Sequence, residues 1–193
     1  MTLPAGVIGL TPGGPWTLVD SAPGVTTPGL FYELMPKLWV YLPVVEDIPN
    51  GITWTLNAED LPIIEAYLQA RLVYYSAVTS DPMDFTSDGW EDYYVDGGQR
   101  LKGVMEPRGA AGQVVYLDAG VVLRPTVGGD GRTDIDALVL DCVLDGAVRR
   151  NSDGSIAEGS TPGVGENPTG ATLRLIDGEW RLDRITEALA ACA

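Results

Sequence analysis

Histidine is missing from this chain altogether, and basic residues of any kind are scarce: 12 Lys and Arg stand against 27 Asp and Glu among 193 residues, a formal net charge of −15. The first absence removes the commonest general base, the usual proton shuttle and the commonest transition-metal ligand at once. A Ser-His-Asp triad or a His-ligated zinc site is therefore excluded, while catalysis by carboxylates or tyrosines is not. The second absence leaves a surface that repels phosphate backbones and anionic lipid heads, which argues against nucleic-acid and membrane-surface binding. Long apolar runs are missing too. No stretch approaches the roughly 18 apolar residues of a bilayer span, and Pro and Gly interrupt every early apolar segment. The first basic residue is Lys37, so the positive start of a signal peptide is not seen.

Only two cysteines occur. Cys142 lies in an apolar, strand-like segment and Cys192 is the penultimate residue. Two lone cysteines of a cytosolic protein are usually free thiols. A bond between these two would instead clamp a terminus that otherwise frays, and would imply an oxidising compartment. Phosphate and metal motifs fail on inspection. Gly163-Val164-Gly165 is followed by Pro168 where a dinucleotide loop needs glycine, and no Gly-Lys-Ser/Thr occurs. Asn151-Ser152-Asp153-Gly154 resembles half a calcium loop, but its register puts Arg149 and Ser160 where carboxylates are required. No metal site or cofactor is implied. The acidic cluster Asp81, Asp84, Asp88, Glu91 and Asp92 reads as a solvated face, with adventitious cation binding as the alternative.

What is present is a mixed α and β pattern. Residues 1–55 carry eight of the 14 prolines and three of the five tryptophans. They read as a Pro/Gly/Trp-rich N-terminal arm ahead of a domain over 56–193. With Trp16, Phe31, Trp39 and Trp54 as apolar anchors, the arm either wraps over its own domain or docks on a partner. Over 57–79, Ile63, Ile64, Tyr67, Leu68, Leu72, Tyr74 and Tyr75 recur at three- and four-residue spacings, which predicts an amphipathic helix capped by Asn57 or Asp60. Asp81-Pro82 ends it, and 83–96 reads as a short helix or an ordered loop. Strands are predicted over 100–105, 113–124, 134–148 and 155–158, with 159–170 a Gly/Pro-rich loop. In 134–145, Leu138, Leu140, Cys142 and Leu144 form one strongly apolar face.

The sharpest local signal is the segment 170–185. Asp177-Gly178 suits a type I′ turn, which needs positive φ at both central residues. Closing there pairs Ile176 with Glu179, Leu175 with Trp180, Arg174 with Arg181 and Leu173 with Leu182. The four apolar side chains then share one face. Asp183 and Glu179 fall diagonal to Arg174 and offset its repulsion by Arg181.

A helix followed by a run of antiparallel strands resembles the nuclear-transport-factor-2-like (SnoaL-like) superfamily, and within it the exported actinobacterial branch. The matching residues are Asp141-Cys142-Val143-Leu144-Asp145, then Asp177-Gly178-Glu179-Trp180-Arg181-Leu182, then Cys192. The resemblance implies an α+β cone: an amphipathic helix packed in a curved, mainly antiparallel sheet, with a pocket between them, frequent dimerisation through the sheet, and usually no catalysis. Tyr74, Tyr75, Asp84, Trp90, Tyr93, Tyr94 and Tyr116 are the candidates to line that pocket, although aromatics at these spacings also suit a core. No catalytic residue is assigned.

The expected function is a non-catalytic binding or assembly module of an exported or cell-surface protein, partnered by a second copy or by another envelope protein. One alternative is a small-molecule binder or an isomerase- or dehydratase-type enzyme, with an acid–base pair such as Asp84 and Tyr94. Another is a structural subunit of a virion or secretion assembly.

Overall fold

The computed structural model describes residues 3, 7–43, 56–128 and 132–192. Trp54 and the rest of 44–55 lie outside them. The fold is α+β. Its main sheet has eight strands in the order β1-β2-β3-β5-β7-β9-β10, with β6 (Pro125–Val127) also pairing β7. Within it, β1 is Thr17–Val19, β2 Gly29–Met35, β3 Leu38–Pro43 and β5 Val121–Leu123. The other strands on the path are β7 Asp136–Asp145, β9 Gly165–Ile176 and β10 Glu179–Glu187. Every pair is antiparallel except β3 with β5. A second, two-stranded sheet joins β4 (Val114–Tyr116) to β8 (Val148–Arg150).

Residues 17–43 are thus built into the sheet. Leu38 and Val40 are fully buried, and Phe31 packs on Tyr41 at 5.3 Å between ring centroids. Trp16 and Trp39 are half-buried against the core clusters. The run of prolines hid this hairpin. Pro36 sits in its turn and Pro28 and Pro43 at its outer ends, all places where a missing N–H breaks no central ladder bond.

The helix α1, Leu61–Thr79, has Pro62 in its first turn, where the missing N–H costs nothing. Asp60 is its N-cap residue but makes no side-chain cap bond; its carboxylate pairs with Arg132 at 2.6 Å. Ile63, Ile64, Tyr67, Leu68 and Val78 are buried against the sheet. A single turn, α2 (Trp90–Tyr93), and a left-handed bend at Asp96 and Gly97 lead into α3, Gln99–Ala110.

Several predicted elements change. The strand expected over 100–105 is part of α3, because Leu101 and Met105, four residues apart, are the pair that meets the core while Val104 is exposed. The strand over 113–124 breaks into β4 and β5 at a turn ending in Gly120, where φ is 84°. The strand over 134–148 ends at Asp145, and 155–158 keeps only a bridge from Ile156 to Arg150. The loop over 159–170 is strand from Gly165, since β7 offers a long ladder. Pro168 fits because it lies just beyond the last pairing of β10, Glu187 with Thr169. On β7 the deepest face is Ala137, Val139, Asp141 and Val143, turned opposite to the predicted Leu138–Leu144 face. That second face is covered too, by the C-terminal turn Leu189–Cys192 and by Arg124.

The hairpin closes in the predicted register, with Asp177 at φ 53° and Gly178 at φ 86°. After Leu182 the register shifts by one residue, and Arg184 rather than Asp183 faces Thr172. Cys142 and Cys192 form a disulfide across a sequence separation of 50 residues, Cα atoms 4.8 Å apart. The Arg124 guanidinium lies over this bond. Its Nη2 stands 2.8 Å from the Cys142 sulfur and 2.8 Å from Glu166 Oε1.

Candidate functional site

One opening lies beside the C-terminal half of α1, bounded by α3, β4, the β7–β8 turn and the ends of β9 and β10. Its cavity measures about 520 Å³, in the range of small-molecule sites. Helical spacing sets one wall. Arg71, Tyr74 and Tyr75 come round α1 on one side, and Tyr67 lies one turn earlier. α3 adds Leu101, Met105 and Arg108. The chain leaving β7 adds Asp145, Ala147 and Arg149, and the strand ends add Asn167, Thr169, Thr186 and Glu187.

Arg71 is the unusual member. It is buried, yet its guanidinium carbon stands 5.0, 5.5 and 6.0 Å from the ring centroids of Tyr75, Tyr74 and Tyr67. Aromatic faces attract a cation and offset part of its desolvation. Nη2 donates to the Tyr75 hydroxyl at 3.0 Å, while Nε has no partner. Behind it, the fully buried Asp141 accepts from the Tyr67 hydroxyl at 2.7 Å and from the Arg124 backbone N–H at 2.6 Å. Burial pushes the Asp141 carboxyl above its usual range, although both hydrogen bonds and the two arginines pull it down.

Most of the groups that could do acid–base chemistry are already engaged, the exception being the exposed Glu187 at the rim. Burial holds the Tyr74 and Tyr75 phenols above their ordinary value, so both remain protonated at neutral pH. Asp145 accepts from the Ala147 N–H at 3.0 Å and from the Asn167 amide at 3.2 Å. The Ser160 hydroxyl accepts from the Arg149 backbone N–H at 2.8 Å. The arrangement offers cationic and amide donors over an aromatic wall.

Of the predicted pocket residues, Tyr74 and Tyr75 line this cleft, Tyr94 lines a smaller cavity between α3 and β10, and the others lie elsewhere. Tyr94 is buried, donates to the Ala70 carbonyl at 2.7 Å, and stacks on the buried Trp90 at 4.9 Å. Tyr93 packs half-buried on the core. Asp84 is exposed and caps Thr86, whose hydroxyl and N–H bonds hold its carboxyl below the usual range. Asp84 and Tyr94 therefore do not meet as an acid–base pair across the cleft. Tyr116 is exposed, with Arg150 over its ring at 5.9 Å. Arg71, Asp141, Arg108 and Arg149 escaped sequence reasoning. Only Arg71 carried a signal: an arginine four residues from both Tyr67 and Tyr75, on a helix face meant for burial.

A smaller cavity of about 260 Å³ lies between α3 and β10. Its buried carboxylate, Asp183, is already faced by Arg174 at 3.3 Å and Arg100 at 3.7 Å. Cys142, Glu166 and Cys192 lie close enough together to ligate a metal, but both sulfurs are spent in the disulfide. No helix among the described residues is long and apolar enough to cross a membrane. Compared with known protein families, with curated proteins and with solved structures, the chain finds no match.

Proposed function

We propose that this chain is a non-catalytic binding domain of an exported or cell-surface protein, and that the cleft beside α1 takes a small molecule. The carrying observation is the cleft itself: an opening of about 520 Å³ with the buried Arg71 and Tyr75 and the half-buried Tyr74 in its wall and exposed polar side chains at its rim. Binding is favoured over catalysis because its tyrosines are held protonated and both oxygens of Asp145 are occupied. A helix against a mainly antiparallel sheet, with the cleft between them, agrees with a nuclear-transport-factor-2-like cone, and the cone arrangement forms part of this proposal. Export is supported by the Cys142–Cys192 disulfide, a bond that persists in oxidising compartments. A docking arm is less favoured, since Phe31, Trp39 and Trp16 pack on their own domain.

The test is ligand-observed NMR with neutral, cationic and anionic small molecules, on wild type and on Thr186→Trp. Thr186 is an exposed residue of β10 on the cleft wall, so the larger ring fills the opening from outside the core. Compounds that bind the wild type and lose binding in the folded variant are expected. If no compound of any charge class distinguishes the two proteins, the reading is abandoned.

A further inference from the structure

Seven of the ten arginines stand within 3.9 Å of an Asp or Glu carboxylate among the described residues. The three that do not, Arg71, Arg108 and Arg149, all line the same cleft. In a chain with 27 acidic and 12 basic residues, carboxylate partners are not in short supply. Leaving these three cations unpaired in one place needs a physical reason.

Their environments make the point sharper. Arg71 is 8% exposed and its Nε has no hydrogen-bond partner. Asp141 behind it lends negative potential but stands outside ion-pair distance, with its oxygens taken by Tyr67 and the Arg124 N–H. Tyrosine faces offset only part of the cost of burying the cation. The Arg149 Nε is buried and unpartnered too, although its Nη2 donates to the Glu158 carbonyl. Arg108 has only a hydrogen bond to the Met105 sulfur at 3.4 Å. Arg149 is disfavoured as a cation by burial first and by the nearby Arg108 second, so the two guanidinium groups feel each other's repulsion. Asp145 and Glu187 also line the cleft, yet neither stands at ion-pair distance from these arginines, and both Asp145 oxygens are occupied. Among the lining residues three cations face two carboxylates, and Asp141 behind Arg71 is already engaged by Tyr67 and Arg124. The cleft wall itself thus carries an excess of positive charge in a molecule of charge −15.

We infer that the cleft recognises its ligand through an oxyanion, a carboxylate or a phosphate, held by the guanidinium groups of Arg71, Arg108 and Arg149. The inference rests on the reading of this cleft as a small-molecule site. Guanidinium forks match both kinds of oxyanion, and an anion placed among them would supply the missing acceptors and relieve the repulsion. The ligand is small. A polyanion such as nucleic acid would meet the repulsion of the whole surface, and Asp145 and Glu187 besides.

The experiment is a titration of the full chain, disulfide intact, with inorganic phosphate and with acetate at constant ionic strength, followed by NMR. Binding of at least one anion is expected, and Arg108→Gln and Arg149→Gln should each weaken it about tenfold. Arg174→Gln, outside the cleft, should leave it unchanged. Arg71→Lys keeps the charge and loses the fork; if it does not fold, the other two variants carry the test. Tighter binding of phosphate assigns a phosphorylated ligand, and tighter binding of acetate a carboxylated one. The inference is overturned if neither anion binds, or if both cleft variants bind as the wild type does. Neutral or cationic compounds that bind wild type and not Thr186→Trp, with neither anion binding, would keep the cleft reading and sink this one.

Discussion

A buried charge is tolerated only when its surroundings replace the water it has lost, and Asp141 shows how that is done here. Its two oxygens are met by the Tyr67 hydroxyl and by the Arg124 N–H, with Arg71 and Arg124 supplying positive potential. Tyr67→Phe leaves one oxygen buried and unpaired, a loss of about 1–3 kcal/mol in unfolding free energy by denaturant titration. A pH dependence follows as well. Burial raises the Asp141 carboxyl above its ordinary 3.8, so the folded protein holds this proton more tightly than the unfolded chain does. The stability it contributes is fully present below that ordinary value and is lost as pH rises through the raised, folded one. Unfolding free energies of wild type and Asp141→Asn, measured across the acid range, should show wild type losing ground to the variant as pH rises. A constant difference between the two would rule this out.

At the level of elements, the β9–β10 hairpin is where local chemistry and tertiary demand agree. Both turn residues have positive φ, which Gly178 adopts without strain and a β-branched residue does not. Gly178→Val should cost about 1–3 kcal/mol by chemical denaturation without touching the core. A variant as stable as wild type would show that the turn does not hold the register. The one-residue shift after Leu182 was not legible. It turns Asp183 inward, 5% exposed, toward Arg174 and Arg100, and only those distant partners account for it. Likewise 100–105 reads as a strand from residue order, with Leu101, Val104 and Met105 its apolar members. The i,i+4 contact of Leu101 and Met105 decides for helix once there is a core to face.

Across the whole molecule, two long-range connections hold the fold together. The first is the disulfide, which ties the C-terminal turn to β7. Closing a loop of 50 residues stabilises by about 4 kcal/mol in the chain-entropy view. Cys192→Ser should therefore lower the unfolding free energy by up to that amount, and intact mass with and without reductant should differ by two daltons. The second is the parallel pairing of β3 with β5, which brings residues 17–43 into the same core as α1. Removing them would take Leu38 and Val40 out of the core and uncover Val121 and Leu123, all four fully buried. Deletion of the segment through residue 55 should yield a chain without cooperative unfolding or near-ultraviolet circular dichroism. A folded product would show that the domain over 56–193 stands alone.

Short-range chemistry accounts for the parts that could be read from residue order. Spacing on α1, the Asp177-Gly178 turn and its register, and the exclusion of histidine chemistry each depend on residues a few positions apart or on composition alone. The rest depends on partners far away in the chain. Prolines at 28, 36 and 43 read as an arm until β5 provides an edge for the hairpin between them. Gly165–Gly170 reads as a loop until β7 provides a ladder. The cleft belongs wholly to this second kind. Arg71, Arg108 and Arg149 come from α1, α3 and β8, 37 and 41 residues apart, and an arginine without a counter-ion can be recognised only when every carboxylate near it has been placed.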